Sequence, residues 1–591
     1  MTNQNSASVT QERLKFSQLA AYGAGGIIPI ALFNIAGILV GLMGNISLGL
    51  SAFWLGVILI IPRLWDAVSD PLIGHISDNT RTRWGRRRPF LLIGGILVAV
   101  TFVVMWWIPK GEIVREIFPS ESGFQAFQLV YILFSLLLFY TACTIFEIPH
   151  GALGMEITSD YHERTRLFSA KSFVGNLFAM STPWLFALAN LEIFRGTGGN
   201  EADGMRYVSL MIAGIIIPLS FWWTYKLREP GFVRIQKQEK TPFWKDMKHT
   251  ASNRNFIMLT LTIFTLAMGF NFVNLLGSYI PIFYIFGGDK VAGAYLLGIN
   301  GTVWAVTGVL AVFPLNIISP KLGKRSTLII AIALMCLAQL SKIVCYNPEY
   351  PYLIVIPTVL LSMGMLFFFT LGSSMVGDIC DEDDLKTGKR TEGSFYSVFW
   401  WFIKMGTALA SFVAGALIVF TQFDETQVTK VDALQGSIRV LSSEVKSAKE
   451  GKSQTADFQD LISKAITRSN ELVTHLEEKS KKDSKKEDHY RTLIQNATGV
   501  STRLSALDPA LSPELLEAEI GAISENIVPL TLQAPYTMLM MRVVEIGLPL
   551  LLSIFSVFFV LRYTLTEKRS HEIKDLLQQR NKERELSSAN P

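Results

Sequence analysis

The segment Arg63-Leu64-Trp65-Asp66-Ala67-Val68-Ser69-Asp70-Pro71 decides the fold, because it sets an arginine and two carboxylates inside a run otherwise apolar enough to cross a bilayer. Charge at membrane depth is expensive unless it faces protein or water. Arg63, Asp66 and Asp70 follow at spacings of three and four, so a helix turns all three to one face, inward and away from lipid. That face is where the chemistry is expected.

The rest of the chain fits this reading. Half of the 591 residues are hydrophobic and 17% are charged, with a mean hydropathy of +0.34, which suits a polytopic membrane protein. The first sixteen residues are polar and lack the regions of a cleaved signal, so the first span itself is expected to insert the chain. The net charge of +5 reflects basic loops flanking the membrane and carries no implication of nucleic-acid binding. Cys143, Cys336, Cys345 and Cys380 form no CxxC pair, and hence neither a metal site nor a disulfide framework. No nucleophile paired with a base and no phosphate loop is visible, so an enzyme is not expected.

Apolar runs of about 20 residues or more, the length that spans a bilayer as helix, recur about twelve times: 18–43, 50–77, 89–109, 126–154, 167–190, 206–227, 255–286, 292–318, 326–346, 352–377, 394–421 and 536–563. Lysine and arginine concentrate after even-numbered spans, as in Arg81 to Arg88, Lys226 to Arg254, and Lys321, Lys324 and Arg325. Both termini are therefore expected in the cytoplasm of a multi-pass protein of the cell membrane, the inner membrane if the source is bacterial. Gly85-Arg86-Arg87 after span two is echoed by Gly323-Lys324-Arg325 after span eight, which predicts two pseudo-symmetric six-helix halves rocking about a midplane site.

The expected domains are an N-terminal half (1–227), a cytoplasmic linker (228–254), helices 7–11 of the C-terminal half (255–421), an insertion (422–535), helix 12 (536–563) and a cytoplasmic tail (564–591). Within the insertion Val431, Leu434, Ile438, Leu441 and Val445 alternate spacings of three and four, a coiled-coil seam. A second helix is expected near Leu461 to Leu476, giving a helical hairpin or bundle outside the membrane on the extracytoplasmic face, a surface that could dock a protein partner.

Further intramembrane charges are Glu147, Lys171, Lys404 and Glu545. Counted at about 1.5 Å per residue from the cytoplasmic helix ends, Asp70 lies roughly 10 Å deep, Glu147 roughly 12 Å and Lys404 roughly 20 Å, so one cavity can hold them. Pro71 and Pro149 each free a backbone carbonyl, of Ala67 and Ile145. Such a carbonyl, the carboxylates and the hydroxyls of Ser69 and Thr144 are hard ligands for Na⁺, Li⁺ or a proton. A buried ion-pair network without transport is the alternative for Arg63, Asp66, Asp70 and Lys404. Glu545 is expected to pair with Arg542 three residues away. The cluster at Arg86 and Arg87 is expected to latch the halves by ion pairs, and its alternative role is binding lipid headgroups.

These residues resemble a known family. The run from Trp65-Asp66 through Arg83-Trp84-Gly85-Arg86 is similar to the second helix and following loop of the glycoside-pentoside-hexuronide:cation symporters, the melibiose permease group of the major facilitator superfamily. Further matches are Tyr22-Gly23, Glu147-Ile148-Pro149, Arg164-Thr165-Arg166-Leu167, the run from Lys386 to Gly393 with Tyr396-Ser397-Val398 and Lys404, and Leu565-Thr566-Glu567. The resemblance covers the chain apart from the insertion. It implies an all-α fold of twelve transmembrane helices, with Asp66, Asp70, Ser69 and Thr144 at a monovalent-cation site. Lys404, Glu147, Lys171 and Trp400 would lie near cation and sugar, and Arg63 in the gating network with Arg86 and Arg87. Three positions depart from the family pattern: the helix-one aspartate gives way to apolar residues around Ile30, the helix-four tryptophan becomes Gly151, and the helix-five arginine falls at Ser172 beside Lys171.

The expectation is a monomeric secondary transporter that needs no cofactor and couples Na⁺ or H⁺ to a sugar or glycoside. Without the cation the two carboxylates should repel each other. The alternatives are cation-coupled transport of a lysolipid-like amphiphile, favoured by the aromatic cluster Phe399 to Phe402, and a non-transporting sensor or scaffold that uses the insertion.

Overall fold

The computed structural model describes residues 13–589 except 33–34, 37–39, 41–43, 45–47, 49, 51, 110–111, 159, 182–184, 186–187, 190, 197–200, 230–241, 278, 450–457, 483–485 and 510. Much of the first loop near Asn45 and residues 230–241 of the linker read from the sequence thus lie outside the described residues. Regular structure among the described residues is helical, with a single isolated bridge between Thr82 and Gly85.

The main helices are α1 (Phe16–Ala24), α2 (Ala52–Asn79), α3 (Arg88–Trp106), α4 (Glu121–Glu156), α5 (Tyr161–Ala179), α6 (Glu201–Lys226), α7 (Arg254–Leu276), α8 (Lys290–Leu310), α9 (Val312–Cys345), α10 (Val355–Thr387) and α11 (Glu392–Phe420). They are followed by α12 (Glu425–Lys449), α13 (Phe458–Lys482), α14 (Glu487–Ser505), α15 (Pro513–Ile527), α16 (Pro535–Arg562) and α17 (Glu567–Ala589). Seven helical segments among the described residues are long and apolar enough to cross a membrane. The helix α2 carries Arg63, Asp66 and Asp70, and α5 carries Glu163, Arg164, Arg166 and Lys171.

Two glycines at the positions compared in the sequence share a backbone state. Gly85 (φ +118°) and Gly323 (φ +77°) both adopt the left-handed region that side chains disfavour. At Gly323 the helix α9 breaks, so the loop expected between 318 and 326 contracts to one non-helical residue. In each case the next residue, Arg86 or Lys324, is turned fully into the interior.

The helix α2 packs on α11, and α5 packs on α8 and α10. The first contact is tight: a Cβ at Gly74 would lie 2.6 Å from the Gly393 carbonyl oxygen, and one at Gly393 would lie 2.7 Å from that of Gly74. Side chains at either position would push α2 from α11 and pull apart the groups beyond them.

Val431, Leu434, Ile438, Leu441 and Val445 are all buried, packed among α12, α13, α14 and α15 around Leu472, Leu493, Leu504 and Ile523. This core is separate from that of the other helices. The chain enters and leaves it side by side: the Asp424 backbone N–H donates to Gln533 (2.9 Å) and Gln427 donates to the carbonyl oxygens of Leu530 and Leu532. Phe423 packs edge-on against Tyr279 and Phe283.

The expectation for Glu545 is corrected. It pairs with Lys342 on α9 and accepts a hydrogen bond from Tyr346 (3.1 Å), while Arg542 turns to Tyr284 (2.7 Å). Local spacing placed Arg542 within reach, but Glu545 faces the bundle interior and takes the buried ammonium that α9 brings to it.

Two outcomes follow. Lys342→Met leaves the Glu545 carboxylate buried without its cation and should destabilise the protein by about 3–5 kcal/mol; the double variant with Glu545→Leu should recover most of that, read as the thermal unfolding midpoint in detergent. Burial pushes the Asp424 carboxyl up, but the Gln427 N–H, His475 and Lys479 outweigh it and hold its pKa below the usual carboxylate range. A depressed carboxylate stabilises the fold above its unfolded pKa of about 3.9, and the contribution disappears as pH falls through the lower folded value. Protease resistance of α12 to α15 should therefore drop below about pH 4, with a shallower dependence in Asp424→Asn.

Candidate functional site

The helix α2 runs unbroken through Pro62 and Pro71 and presents Asp66, Ser69 and Asp70, all buried, toward α4 and α11. Lys404 of α11 reaches between the two carboxylates, its Nζ 2.9 Å from Asp66 and 2.7 Å from Asp70. Thr144 of α4 donates to the other Asp70 oxygen at 3.0 Å. Asp66 is held by charge alone: neither of its oxygens, nor the Ser69 hydroxyl, has an aligned hydrogen-bond partner among the described residues. Buried carboxylate oxygens without such partners are rare, and each calls for an explanation. Glu147, buried on the same α4, acts electrostatically on both Lys404 and Asp70.

The expected repulsion between Asp66 and Asp70 is not what this arrangement presents. The ammonium of Lys404 relieves it, and the three groups in contact carry one net negative charge. The Arg63 side chain lies outside the described residues.

A second buried group adjoins the first. Lys171 of α5 donates to the Tyr396 hydroxyl of α11 at 3.1 Å, with its ammonium 5.7 Å from the ring centroid. Tyr396 meets Trp400 at 6.1 Å, and Trp400 in turn stacks on Phe369 at 6.2 Å. A Cβ at Gly151 would lie 2.0 Å from the Tyr396 ring, so the space left where the family pattern has tryptophan is taken by a tyrosine of α11. Tyr22 stacks on His150 at 4.3 Å, and the Tyr22 hydroxyl and His150 Nδ1 are buried without a hydrogen-bond partner among the described residues. Sequence reading did not single out His150; its place three residues beyond Glu147 on the same helix was the available signal.

At one end of the bundle, ion pairs join the chain before α3 to α4 and α11. Arg86 donates to Glu156 (3.0 Å), to Glu392 (2.6 Å) and to the Arg390 carbonyl oxygen (3.0 Å); Arg87 donates to Glu156 (2.8 Å), Ser77 and Asp78. Asp78 also accepts the backbone N–H groups of Gly393 (3.0 Å) and Ser394 (2.8 Å), capping α11 from across the interface. The echo lies around Lys324: its ammonium and the guanidinium of Arg164 converge on Asp378, at 2.7 and 2.5 Å, and Arg164 also reaches Asp381 at 2.5 Å. Acidic residues closing an otherwise apolar helix, Asp378 to Asp384, were the signal for this second cluster.

The model of a family described as MFS/sugar transport protein matches residues 21–445. An uncharacterized symporter of Synechocystis is 24% identical, over 71% of this chain and 88% of its own length. The isoprimeverose transporter of Lactiplantibacillus pentosus is also 24% identical, over 63% of this chain and 73% of its own. Among solved structures, a bacterial homologue of the iron transporter ferroportin in an outward-facing state shares the fold, with a TM-score of 0.52 at 13% identity, over 68% of this chain and 92% of that one.

Loss of the Arg164 guanidinium should open this end. Cys380 is buried on α10 between Asp378 and Asp381. Arg164→Ala is expected to speed alkylation of Cys380 at least about 10-fold, since a buried pair deprived of one partner loses about 3–5 kcal/mol; an unchanged rate would show that these pairs do not hold the halves together.

Proposed function

We propose, for a chain that belongs to the MFS/sugar transport protein family, a cation-coupled symporter that moves a sugar or glycoside by alternating access. The chain is a membrane transporter and not an enzyme. The finer reading has twelve spans in two rocking halves, both termini in the cytoplasm, the α12 to α15 bundle on the outer face, and a single chain as the working unit.

The observation that carries the proposal is Lys404 bridging two buried carboxylates that belong to the opposite half. In the ion-free state this ammonium stands where a monovalent cation would. Na⁺ or H⁺, a co-substrate and not a resident cofactor, binds Asp66 with Asp70, Ser69 and Thr144. It thereby releases part of the hold on Lys404, which turns toward Glu147. The released lysine and Glu147 then help to form the adjoining substrate site with Lys171, Tyr396 and Trp400. Aromatic faces with a few convergent polar groups suit a hydroxyl-rich ring; the unpartnered Tyr22 hydroxyl and His150 Nδ1 supply a donor and an acceptor for it. The relative named isoprimeverose transporter supports the sugar class. Arg86, Arg87 and Arg63 belong to the gate in this scheme, closed on the cytoplasmic side.

Uptake into proteoliposomes of a panel of labelled glycosides and lysolipids, with Na⁺ and pH gradients imposed separately, tests this. Asp66→Asn and Asp70→Asn should each abolish gradient-driven uptake while the protein still inserts. Concentrative uptake that survives either change would sink the coupling mechanism, and flux confined to lysolipids would reassign the substrate.

A further inference from the structure

We infer that His162, Glu567 and His571 form a binding site for a transition-metal ion of the Zn²⁺ kind, which ties the C-terminal helix to the N-terminal half. His162 is the second residue of α5, and Glu567 and His571 are the first and fifth of α17. A spacing of four puts the latter two on one face of their helix. Across that gap the three ligating atoms lie within 4.8 Å of one another, and the His162 Nε2 is 3.0 Å from a Glu567 oxygen. The Nδ1 of His162 is buried with no hydrogen-bond partner among the described residues, so the ring has a donor atom that nothing else uses.

Two imidazoles and a carboxylate are the donor set of three-ligand zinc sites that keep a fourth position for water. Ca²⁺ and Mg²⁺ prefer all-oxygen shells, so the nitrogens select against them. Bonds of about 2.0–2.1 Å require ligand atoms roughly 3.3 Å apart, which side-chain rotation supplies, His571 being exposed. The imidazoles are backed by a common wall: the Tyr161 ring meets His162 at 5.3 Å and His571 at 6.0 Å, both edge-on, and the Tyr161 hydroxyl accepts the Lys324 backbone N–H at 2.6 Å. An open hollow of about 320 Å³ lined by Tyr161, Gly323, Glu567 and Lys568 gives an ion a path to the carboxylate.

The position gives the site a consequence. The helix α17 is pinned to the start of α5 by Lys574 on Asp160 (3.0 Å) and to the end of α10 by Arg580 on Asp384 (2.7 Å), so it straps both halves at the end that Arg164 closes. A metal drawing His162 onto α17 tightens that strap. If the halves rock as in the transport reading, on which this consequence rests, the bound ion holds that end shut and slows flux.

Zn²⁺ titration of the purified full-length protein, followed by calorimetry or by competition with a chelating dye, should give one ion per chain. His162→Ala and His571→Ala should each weaken binding about 10-fold or more, by analogy with the 10–100-fold cost of disturbing even the outer shell of such sites, while His475→Ala, in the α13 bundle, should leave it unchanged. Mg²⁺ should not compete. Absence of binding, or equal binding by wild type and His571→Ala, overturns the site. In proteoliposomes Zn²⁺ on the α17 side should slow uptake by wild type and not by His571→Ala. Binding is read without flux, so a protein that binds Zn²⁺ but transports nothing would overturn the symport reading and leave the site standing.

Discussion

One ammonium shared by two carboxylates constrains the rest of this protein. Lys404 at 2.9 Å from Asp66 and 2.7 Å from Asp70 is a contact between α11 and α2, made in a medium that punishes unpaired charge. The ion pair needs α2 and α11 close together, and the facing glycines Gly74 and Gly393 permit it. Burial of such a pair adds little net stability, whereas removing one member leaves an uncompensated charge. The arrangement is therefore poised: anything that replaces the ammonium electrostatically can loosen the joint without exposing a bare carboxylate. A small monovalent cation meets that requirement, and an apolar side chain does not.

The same economy recurs at the end of the bundle, in two clusters of similar build. A glycine at positive φ turns a cation inward, Arg86 in one cluster and Lys324 in the other, onto acids that close a long helix, Glu156 in one and Asp378 in the other. Each cluster then takes one partner from across the interface, Glu392 or Arg164. Because every acid serves two cations, the pairs fail together more readily than one by one. Shared partners make such a network cooperative, which is the property a two-state gate requires.

The charged face of α2 was legible because its warrant is local: spacings of three and four decide which side chains share a face, and membrane depth decides that the face turns inward. The same holds for the seam from Val431 to Val445, whose five residues are buried. What lay beyond the sequence depends on partners far along the chain. Glu545 has Arg542 three residues away yet pairs with Lys342, 203 positions distant, because the helix face it occupies turns toward α9. The helices α14 and α15 likewise complete a bundle that the first seam only began. The Glu567 and His571 pair was visible as a spacing of four, but His162, which gives it meaning, sits some 400 positions earlier and is joined only by the fold.

The surroundings of Gly151 show how an aromatic face can be kept on a different helix. At Gly151 the family pattern places a large aromatic, and its loss would leave a void beside Lys171. The Tyr396 ring fills that volume from the opposite half, with its hydroxyl fixed by the Lys171 ammonium. An aromatic face is thus retained, but it is anchored on α11, eight residues before Lys404, instead of on α4. Two turns of one helix then carry both the Tyr396 ring and the Lys404 ammonium. A shift of α11 driven at Lys404 must move Tyr396 with it, since a helix transmits displacement along its axis far more readily than it bends within two turns. Placing the aromatic on α11 therefore ties Tyr396 to the Asp66 and Asp70 pair through a single rigid element, a shorter mechanical route than a platform on α4 would give.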